Sequence, residues 1–310
     1  MLMIRSPNWR NKAKRRRAPD SVQIPTLDPG STIPRVIHQI YFSADPLPMV
    51  LVENIKAIKA MNPGWQHRLY DDQAIEAFVA KHYSAEVVSL LHKINPRYGA
   101  ARADLFRYLL MYKCGGVYLD IKSTTTRPLD GTIRGDDRFI LSQWRNGPGE
   151  PHAGWGMQKE FGTDRKRELQ QWHIIAAPGH PFLKAVIERV LTNIQNYRSW
   201  THGVGNTGVW RTTGPIPYTL AIEPLRSCNS YRMVSNETDV SLQFNIFSDS
   251  GHSNLFGTYY GLLSEPVVEM DEWSMPVHHA YVQARKLSRQ ARSVLRGSLT
   301  SFQRSARHWR

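Results

Sequence analysis

The chain has 310 residues, of which 41% are hydrophobic and 21% charged, and its formal net charge is +14. This composition is typical of an ordinary globular protein, and a length of this order suits one large α/β domain with appendages. No apolar run approaches the ~20 residues that a membrane-spanning helix needs. The N-terminus predicts no secretion signal, and two cysteines exclude a disulfide framework, so we expect a reducing cytoplasm.

The positive charge is concentrated at the two ends of the chain. Residues 1–19 contain seven basic side chains and residues 281–310 contain eight, and neither segment contains an acidic residue. These fifteen exceed the net charge of +14 by one, so residues 20–280 carry a net charge of −1. The basic charge therefore indicates what the ends bind, and it says little about the middle of the chain.

The predicted elements alternate between strands and helices. Residues 1–30 are basic and then rich in Pro, Asp and Ser, which predicts a disordered arm. Strands are predicted over residues 33–42, 67–70, 117–121, 139–143 and 173–177, and helices over 48–61, 85–94, 99–114 and 181–197, with a further helix after Asp71 and Asp72. This order favours an α/β domain over residues 31–276 with a Rossmann-like, mostly parallel sheet flanked by helices.

The clearest pattern is the helix over residues 99–114, which Gly115 and Gly116 end before a strand that leads to Asp120. In open α/β sheets ligands bind beyond the carboxyl ends of the strands, where Asp120 is expected to lie. Asp104 and Arg107 are three residues apart on the helix, so they share one face. Spacing alone favours a solvated ion pair, whereas the adjoining strand favours a functional site.

Residues 101–120 (ARADLFRYLLMYKCGGVYLD) resemble the core signature of the DXD sugar-binding glycosyltransferases. That family includes fungal mannosyltransferases and bacterial capsule and lipopolysaccharide sugar transferases. Residues 33–41, 62–72 and 177–182 agree with it in order and spacing, and the resemblance extends over about residues 33–220. It implies a GT-A fold, a nucleotide-diphosphate sugar donor and retention of anomeric configuration.

The resemblance also implies roles for individual residues. Asp104 and Arg107 match positions that bind the donor sugar, and Asp120 matches the first aspartate of the motif and is the candidate metal ligand. Tyr41 matches an aromatic residue that stacks on the nucleotide base. Further donor-binding candidates are His38, Asp71, Asp72, Arg102 and Tyr118, and the loop candidates are Thr213, Gly214, His278 and His279. Without the resemblance, a histidine such as His38 at the end of a buried strand is more often a core residue than a ligand, and Tyr41 is equally typical of an aromatic residue packed in the core.

Lys122 is a departure from the family motif, which has a second aspartate at that position. Mg²⁺ and Mn²⁺ prefer oxygen ligands, and an ammonium group cannot coordinate either ion. As a fixed positive charge, Lys122 can neutralise a departing diphosphate and belongs with the catalytic candidates Asp104, Arg107 and Asp120. A divalent cation is therefore a doubtful cofactor. The alternative is that Lys122 points into solvent.

A basic amphipathic helix is predicted for residues 277–310, where apolar residues recur at steps of three or four with Arg and Lys between them. Together with the basic N-terminus, it favours an anionic membrane surface as a partner. Nucleic acid is disfavoured, because the run Arg15–Arg17 lacks the interleaved aromatic residues of a single-strand platform. Sugar rings pack on aromatic faces, so part of a group of tryptophans is expected to line an acceptor cleft: Trp144, Trp155, Trp172, Trp200, Trp210 and Trp273.

The leading hypothesis is a retaining hexosyltransferase that moves a sugar from a nucleotide-diphosphate donor to a glycan or lipid-linked acceptor. It would act as a peripheral enzyme at the cytoplasmic face of a bacterial inner membrane. One alternative is a catalytically inactive sugar-nucleotide-binding module, with Lys122 as the sign of lost catalysis. Another is a basic nucleic-acid-binding protein, which the neutral middle of the chain disfavours.

Overall fold

A mixed six-stranded sheet lies at the centre of the fold. The computed structural model describes residues 22–42, 46–162, 168–247 and 259–307, with side chains described as far as residue 291. The strands are β1 Val36–Ile40, β2 Gln66–Tyr70, β3 Gly116–Leu119, β4 Thr124–Thr125, β5 Phe139–Leu141, β6 His173–Ala176, β7 Arg232–Met233 and β8 Leu242–Gln243. The sheet has the order β2-β1-β3-β6-β5-β7, and β4 pairs with β8 in a separate two-stranded sheet.

Within the described sheet, β1 pairs in parallel with β2 and β3, β5 pairs in parallel with β7, and β6 is antiparallel to both of its neighbours. Five of these six strands therefore run in one direction. The predicted α/β class with a mostly parallel sheet is confirmed. The antiparallel pairing places Leu119, the last residue of β3, opposite His173, the first residue of β6.

Helices cover the sheet and supply most of the core around it. They are α1 Met49–Met61, α2 Asp72–His82, α3 Ala85–His92, α4 Gly99–Cys114, α5 Pro181–Gln195, α6 Ser199–His202, α7 Gly205–Thr212, α8 Pro215–Ile222 and α9 Met275–Arg307. Residues 199–275 give only weak patterns in the sequence, because α6, α7 and α8 have four to eight residues each, too few for a helical repeat to be recognised. None of the described helices combines the length and apolarity needed to cross a bilayer.

Helix α4 is buried on nearly all sides, since residues 103–112 are all buried. Gly115, with φ +64°, ends the helix, and Gly116, with φ +106°, begins β3. A Cβ on Gly116 would lie 2.6 Å from the carbonyl oxygen of Val36 in β1, so both glycines are needed for the tight return of the chain. This turn brings the end of β3 back along α4.

The predicted disordered arm is wrong for its last nine residues. Val22 and Ile24 are buried in the main core, and the Leu27 amide donates to the Tyr112 hydroxyl at 3.0 Å. The Gly30 amide donates to the carbonyl of Pro178 at 2.8 Å. Isolated apolar residues among Pro and Asp give no periodic signal, although they can bury side chains one at a time. Residues 1–21 lie outside the described part of the chain.

The predicted C-terminal helix corresponds to α9, which begins at Met275, two residues before the predicted start. Its first turns pack on the domain, since Arg285 donates to the carbonyl of Val204 at 2.9 Å. Farther along, Leu287 is 65% exposed. The helix therefore has one end attached to the domain and continues away from these contacts. Residues 308–310 of the predicted helix lie outside the described residues.

Candidate functional site

A cavity of about 1050 Å³ lies at the carboxyl end of β3. Its wall is formed by α4, by the turn after β3, by the residues that precede β6 and by the α7–α8 region. The charged residues of this wall within the described chain are Arg97, Asp104, Arg107, Asp120, Lys122 and Glu168. Four of the residues singled out in the sequence as catalytic candidates therefore line one cavity.

Arg107 joins the two aspartates of the site. Its Nη2 lies 3.0 Å from Asp104 Oδ1, and its Nη1 lies 3.0 Å from Asp120 Oδ1. The side chains of Asp104 and Arg107 are at most 5% exposed, whereas that of Asp120 is 23% exposed. The pair on α4 is thus buried, and the solvated ion pair that spacing alone favours is wrong. Asp120 is the member of the trio with the greatest access to the cavity.

The environment of Asp104 is polar despite its burial. Its carboxylate accepts hydrogen bonds from Thr213 Oγ1 at 2.9 Å and from Gln171 Nε2 at 3.3 Å. Burial raises the pKa of Asp104 to about 6, while Arg107 and these hydrogen bonds oppose the rise. Thr213, a loop candidate from the sequence, is therefore brought to the site as a support for Asp104.

Tyr118 closes the opposite side of the guanidinium. Its hydroxyl donates to Asp120 Oδ1 at 3.0 Å, and the Arg107 guanidinium carbon lies 4.8 Å from the centre of its ring. Burial opposes the charge of Arg107, but Tyr118, Asp120 and Asp104 together raise its pKa above the ordinary value. The guanidinium is a fixed cation whose position is set from three sides.

Lys122 lines the same cavity and is half-buried, so the solvent-pointing alternative is wrong. Its Nζ lies 4.2 Å from the centre of the Phe244 ring. Burial lowers the pKa of Lys122, and Asp120 partly offsets this effect. The structure thus brings a second cation to the position two residues after Asp120.

The donor set of this cavity does not fit a divalent cation held by the protein. Asp104 and Asp120 are both paired with Arg107, and Lys122 adds a positive charge where a hard cation requires an oxygen ligand. The remaining carboxylate of the described wall, Glu168, accepts from Trp144 Nε1 at 2.8 Å. Among the described residues, no group of three or more potential ligands is placed to hold a metal.

His38 and Tyr41 do not line the cavity. His38 is fully buried; its Nε2 donates to the Gly115 carbonyl at 3.1 Å, and its Nδ1 accepts from the Tyr70 hydroxyl at 3.0 Å. Tyr41 is buried in a small cluster that also contains Leu51. The assignment of His38 to donor binding is corrected, because its ring has no solvent access and packs in the core. Tyr41 follows β1 and is 8% exposed, and its role in donor binding stays a prediction.

Asp71, Asp72 and Arg102 lie outside the cavity wall as well. Asp71 caps α2 by accepting from the Ala74 amide at 2.8 Å. Arg102 Nη1 lies 2.6 Å from Asp72 Oδ1, so this pair ties α2 to α4. The donor-binding assignment is corrected for Arg102, whose guanidinium is paired with Asp72 and Glu76 of α2. For Asp71 and Asp72, which are exposed, it stays a prediction. At the end of β1 the cavity is lined by Ile40 and Phe42, and the Arg102 guanidinium carbon lies 5.2 Å from the centre of the Phe42 ring.

The remaining loop candidates have structural positions. Gly214 follows α7 and precedes α8, and its amide donates to the Val209 carbonyl at 2.9 Å. His278 Nδ1 lies 3.0 Å from Ser199 Oγ and ties α9 to α6, while His279 is exposed. None of these three residues lines the described cavity, and their role in site loops stays a prediction.

Sequence reasoning missed several residues of the cavity wall, chiefly Phe42, Glu168, Gln171, Phe244, Tyr259 and Tyr260. Phe42 ends the predicted first strand, whereas the other five come from segments without a periodic pattern, so no local signal marks them. The tryptophan prediction is more informative: Trp144, Trp155, Trp172 and Trp210 line the cavity, and Trp200 and Trp273 do not. Aromatic residues in poorly patterned segments were therefore a usable signal.

Comparison with known proteins supports the resemblance seen in the sequence. Residues 48–140, which include Asp104, Arg107, Asp120 and Lys122, match the family model described as glycosyltransferase sugar-binding region containing DXD motif. The resemblance to the DXD sugar-binding glycosyltransferases is thus confirmed for this region.

Several curated fungal proteins are similar to the chain. It is 28% identical over 200 residues to an initiation-specific alpha-1,6-mannosyltransferase of Schizosaccharomyces pombe, covering 61% of this chain and 48% of that protein. It is 28% identical over 139 residues to the protein of the same name in Candida albicans, covering 42% and 34%. It is 31% identical over 161 residues to inositol phosphoceramide mannosyltransferase 1 of S. pombe, covering 51% and 43%. The chain thus spans less than half the length of each of these relatives.

Solved structures of glycosyltransferase domains are more distant. The ligand-free glycosyltransferase domain of the YGT toxin has a TM-score of 0.46 and 8% identity, with 81% of this chain and 90% of that chain covered. The PaToxG glycosyltransferase has a TM-score of 0.41 and 14% identity, with 64% and 71% covered.

Proposed function

We propose, taking the DXD sugar-binding region of residues 48–140 as the premise, that the chain is a retaining GT-A glycosyltransferase that transfers a hexose from a nucleotide-diphosphate donor. The observation that carries the proposal is the trio Asp104, Arg107 and Asp120 at the wall of a large cavity, in which the buried Arg107 joins the buried Asp104 to the partly exposed Asp120. The curated relatives are named as mannosyltransferases, which favours mannose as the transferred sugar.

In this mechanism the trio positions the donor sugar. Asp120, the aspartate with the greatest access to the cavity, accepts hydrogen bonds from sugar or ribose hydroxyls, and Arg107 fixes its carboxylate. Asp104 acts through Arg107 and through Thr213, since its oxygens are held by both. Hydroxyl recognition of this kind places the anomeric carbon and so lowers the entropic part of the barrier.

Lys122 has the electrostatic role. Cleavage of the bond between sugar and diphosphate leaves negative charge on the departing oxygen, and a preorganised cation beside it stabilises that charge. Lys122 lies at the cavity wall two residues after Asp120 and is held over Phe244. We propose that this ammonium group performs the neutralisation for which the family motif has a second aspartate, and that transfer therefore needs no added divalent cation.

We also propose that the acceptor is a glycan or a lipid-linked sugar, and that the enzyme is peripheral at the cytoplasmic face of a bacterial inner membrane. Two relatives of S. pombe are named for a lipid acceptor, inositol phosphoceramide. Helix α9 carries Arg285, Lys286 and Arg289 and an exposed Leu287, and the sequence from residue 281 onward has no acidic residue. Such a helix is attracted to anionic lipid headgroups. Co-sedimentation with phosphatidylglycerol vesicles that persists after removal of residues 286–310 would contradict this part.

The central proposal is tested by donor binding and turnover with the purified protein. Nucleotide sugars that bind the folded state raise its melting temperature, so GDP-mannose, UDP-glucose and UDP-galactose are compared with and without Mn²⁺ and chelator. Asp120→Asn should abolish the shift, and Glu53→Gln, an exposed carboxyl on α1, should keep it. If no nucleotide sugar stabilises the wild-type protein, the proposal fails.

Lys122 also favours a second candidate function, a sugar-nucleotide-binding module without catalysis, because the family's second aspartate is missing. Both candidate functions predict the same rise in melting temperature with a nucleotide sugar. They differ in turnover, so release of nucleoside diphosphate from a donor that binds tightly decides between them.

A further inference from the structure

One end of the cavity is lined by aromatic rings, which we call the aromatic wall: Trp144, Trp155, Trp172 and Phe244. The Trp144 ring centre lies 5.2 Å from that of Trp155 and 5.1 Å from that of Phe244, both in edge-on arrangements. Trp172 lies 5.4 Å from Phe244. Trp155 is 48% exposed, so it is the ring of this wall with a face open to a ligand.

Glu168 lies beside these rings and has no part in the mechanism above. It is 7% exposed, lines the cavity, and receives a hydrogen bond from Trp144 Nε1 at 2.8 Å. Burial raises its pKa, although the hydrogen bonds from Trp144 and Gln158 oppose the rise. A carboxylate can accept more hydrogen bonds than these two, so at the cavity wall Glu168 is able to accept from the hydroxyl groups of a ligand.

Gly156 holds the aromatic wall and Glu168 at close range. Its φ is +68°, and a Cβ at this position would lie 2.8 Å from Glu168 Cβ and 3.0 Å from Trp144 Cδ1. Only glycine lets the chain pass this close, because it tolerates the conformation and has no side chain. The segment that contains Trp155 and Gly156 therefore packs directly against Glu168.

We propose that the aromatic wall and Glu168 form the acceptor subsite, which binds a pyranose ring. The open face of Trp155 packs on the apolar C–H face of the sugar, and Glu168 accepts hydrogen bonds from its hydroxyls. A lipid chain could pack against the aromatic rings, but unlike a sugar it has no hydroxyl group to donate to Glu168. This assignment rests on the proposed transferase function. In that function the donor binds near Asp120, and the acceptor binds at the aromatic wall.

The wall adjoins the donor end through short links. Lys122 lies over Phe244, and the Asp120 amide donates to the Trp172 carbonyl at 2.9 Å. A sugar bound on the wall and a donor held by Asp120 therefore occupy one continuous cavity. This continuity is what transfer between the two sugars requires, since reacting atoms must come within a few ångströms of each other.

The test compares Trp155→Ala with Trp273→Ala, since Trp273 is an exposed tryptophan outside the cavity. Methyl α-mannoside, glucoside, galactoside and N-acetylglucosaminide serve as probes at concentrations up to tens of millimolar. Binding is followed by tryptophan fluorescence and, where turnover is seen, by the acceptor KM. We expect Trp155→Ala to weaken binding of the preferred glycoside by about tenfold, equivalent to about 1.4 kcal/mol, and to leave the Kd of the nucleotide sugar unchanged. Trp273→Ala should change neither.

Glu168→Gln keeps the shape of the side chain and should weaken the same glycoside, again without a change in nucleotide-sugar affinity. The proposal is overturned if no probe gives a Trp155-dependent response, or if Trp155→Ala weakens the nucleotide sugar instead, which would make the wall part of the donor site. Failure of the wild-type protein to bind any nucleotide sugar would sink the transferase function. A Trp155-dependent glycoside response in that case would still support a sugar subsite.

Discussion

Arg107 Nη1 lies 3.0 Å from Asp120 Oδ1, so a guanidinium on α4 holds the carboxylate that follows β3. The same guanidinium lies 3.0 Å from Asp104 Oδ1 through Nη2 and donates to the Gln171 carbonyl at 2.9 Å. One buried cation therefore joins a helix, a strand end and the segment before β6. A planar group with five donors can make these contacts at once, which an ammonium group cannot.

The first prediction concerns the loss of that cation. Arg107→Ala leaves Asp104 buried without its charge partner, so the free energy of unfolding should fall by about 3–5 kcal/mol. Urea denaturation measures it, and Lys113→Ala, exposed on the same helix, is the control. Arg107→Lys should retain more stability than Arg107→Ala and still lose donor affinity, because one ammonium cannot span both aspartates. Equal unfolding free energies for wild type and Arg107→Ala would contradict the buried arrangement.

The second prediction concerns Lys122. Transfer by the wild-type protein should persist in excess chelator, and Lys122→Ala should lower kcat by at least about tenfold through loss of leaving-group stabilisation. The substitution K122D places a second carboxylate near Asp120 and should produce an activity that responds to Mn²⁺. Activity of the wild type that disappears with chelator and returns with Mn²⁺ would show that Lys122 does not replace the ion.

The third prediction is a pH dependence of stability set by Asp104. Burial raises the pKa of Asp104 from 3.8 to about 6, so between about pH 4 and pH 6 the folded chain holds a proton that the unfolded chain has released. Raising the pH through this range therefore lowers the free energy of unfolding. Asp104→Asn has no titratable group at this position. The difference in free energy of unfolding between wild type and this variant should therefore shrink from pH 4 to pH 7. Parallel denaturation curves across this range would be the opposite result.

The fourth prediction tests the packed segment before β1. Ile24→Ala should lower the free energy of unfolding by about 2–5 kcal/mol, the usual cost of truncating a buried aliphatic side chain, because Ile24 is 4% exposed. Thr26→Ala, at an exposed position two residues away, is the matched control. If the two variants unfold alike, residues 22–30 do not contribute to the core.

The fifth prediction uses two glycines of one loop. Gly156→Ala should displace Trp144 or Glu168 and weaken glycoside binding, since its Cβ would lie 2.8 Å from Glu168 Cβ. Gly154→Ala introduces similar backbone strain at φ +80°, but its Cβ meets nothing within 4 Å. We therefore expect a larger loss of stability from Gly156→Ala than from Gly154→Ala, and a loss of glycoside affinity from Gly156→Ala alone. Equal glycoside affinities would separate this loop from the acceptor subsite.

The sequence brings together the charged residues at the Asp120 end of the cavity, and it identifies the aromatic wall only in part. Asp104, Arg107, Asp120 and Lys122 lie within 19 consecutive residues, so a helix, a glycine turn and a strand bring them together by local geometry. Glu168 and Phe244 reach the cavity only through long-range packing, which no local periodicity encodes. His38 and Arg102 were misplaced for a related reason: a residue type and its position on an element do not reveal which neighbour will bind its polar atoms.

The segment between β5 and β6 leaves and re-enters the sheet at nearly the same place. Gln143 and Leu169 form an antiparallel bridge at its base, and the Gln170 amide donates to the Ser142 carbonyl at 2.9 Å. Trp144, Trp155 and Glu168 all belong to this excursion, whereas Asp104, Arg107 and Asp120 belong to the scaffold beneath it. Because the excursion leaves and returns at one bridge, we expect changes in its length to leave the sheet register intact. We expect evolution, or an engineer, to alter what such an enzyme modifies by replacing this one insert while the sugar it delivers stays the same.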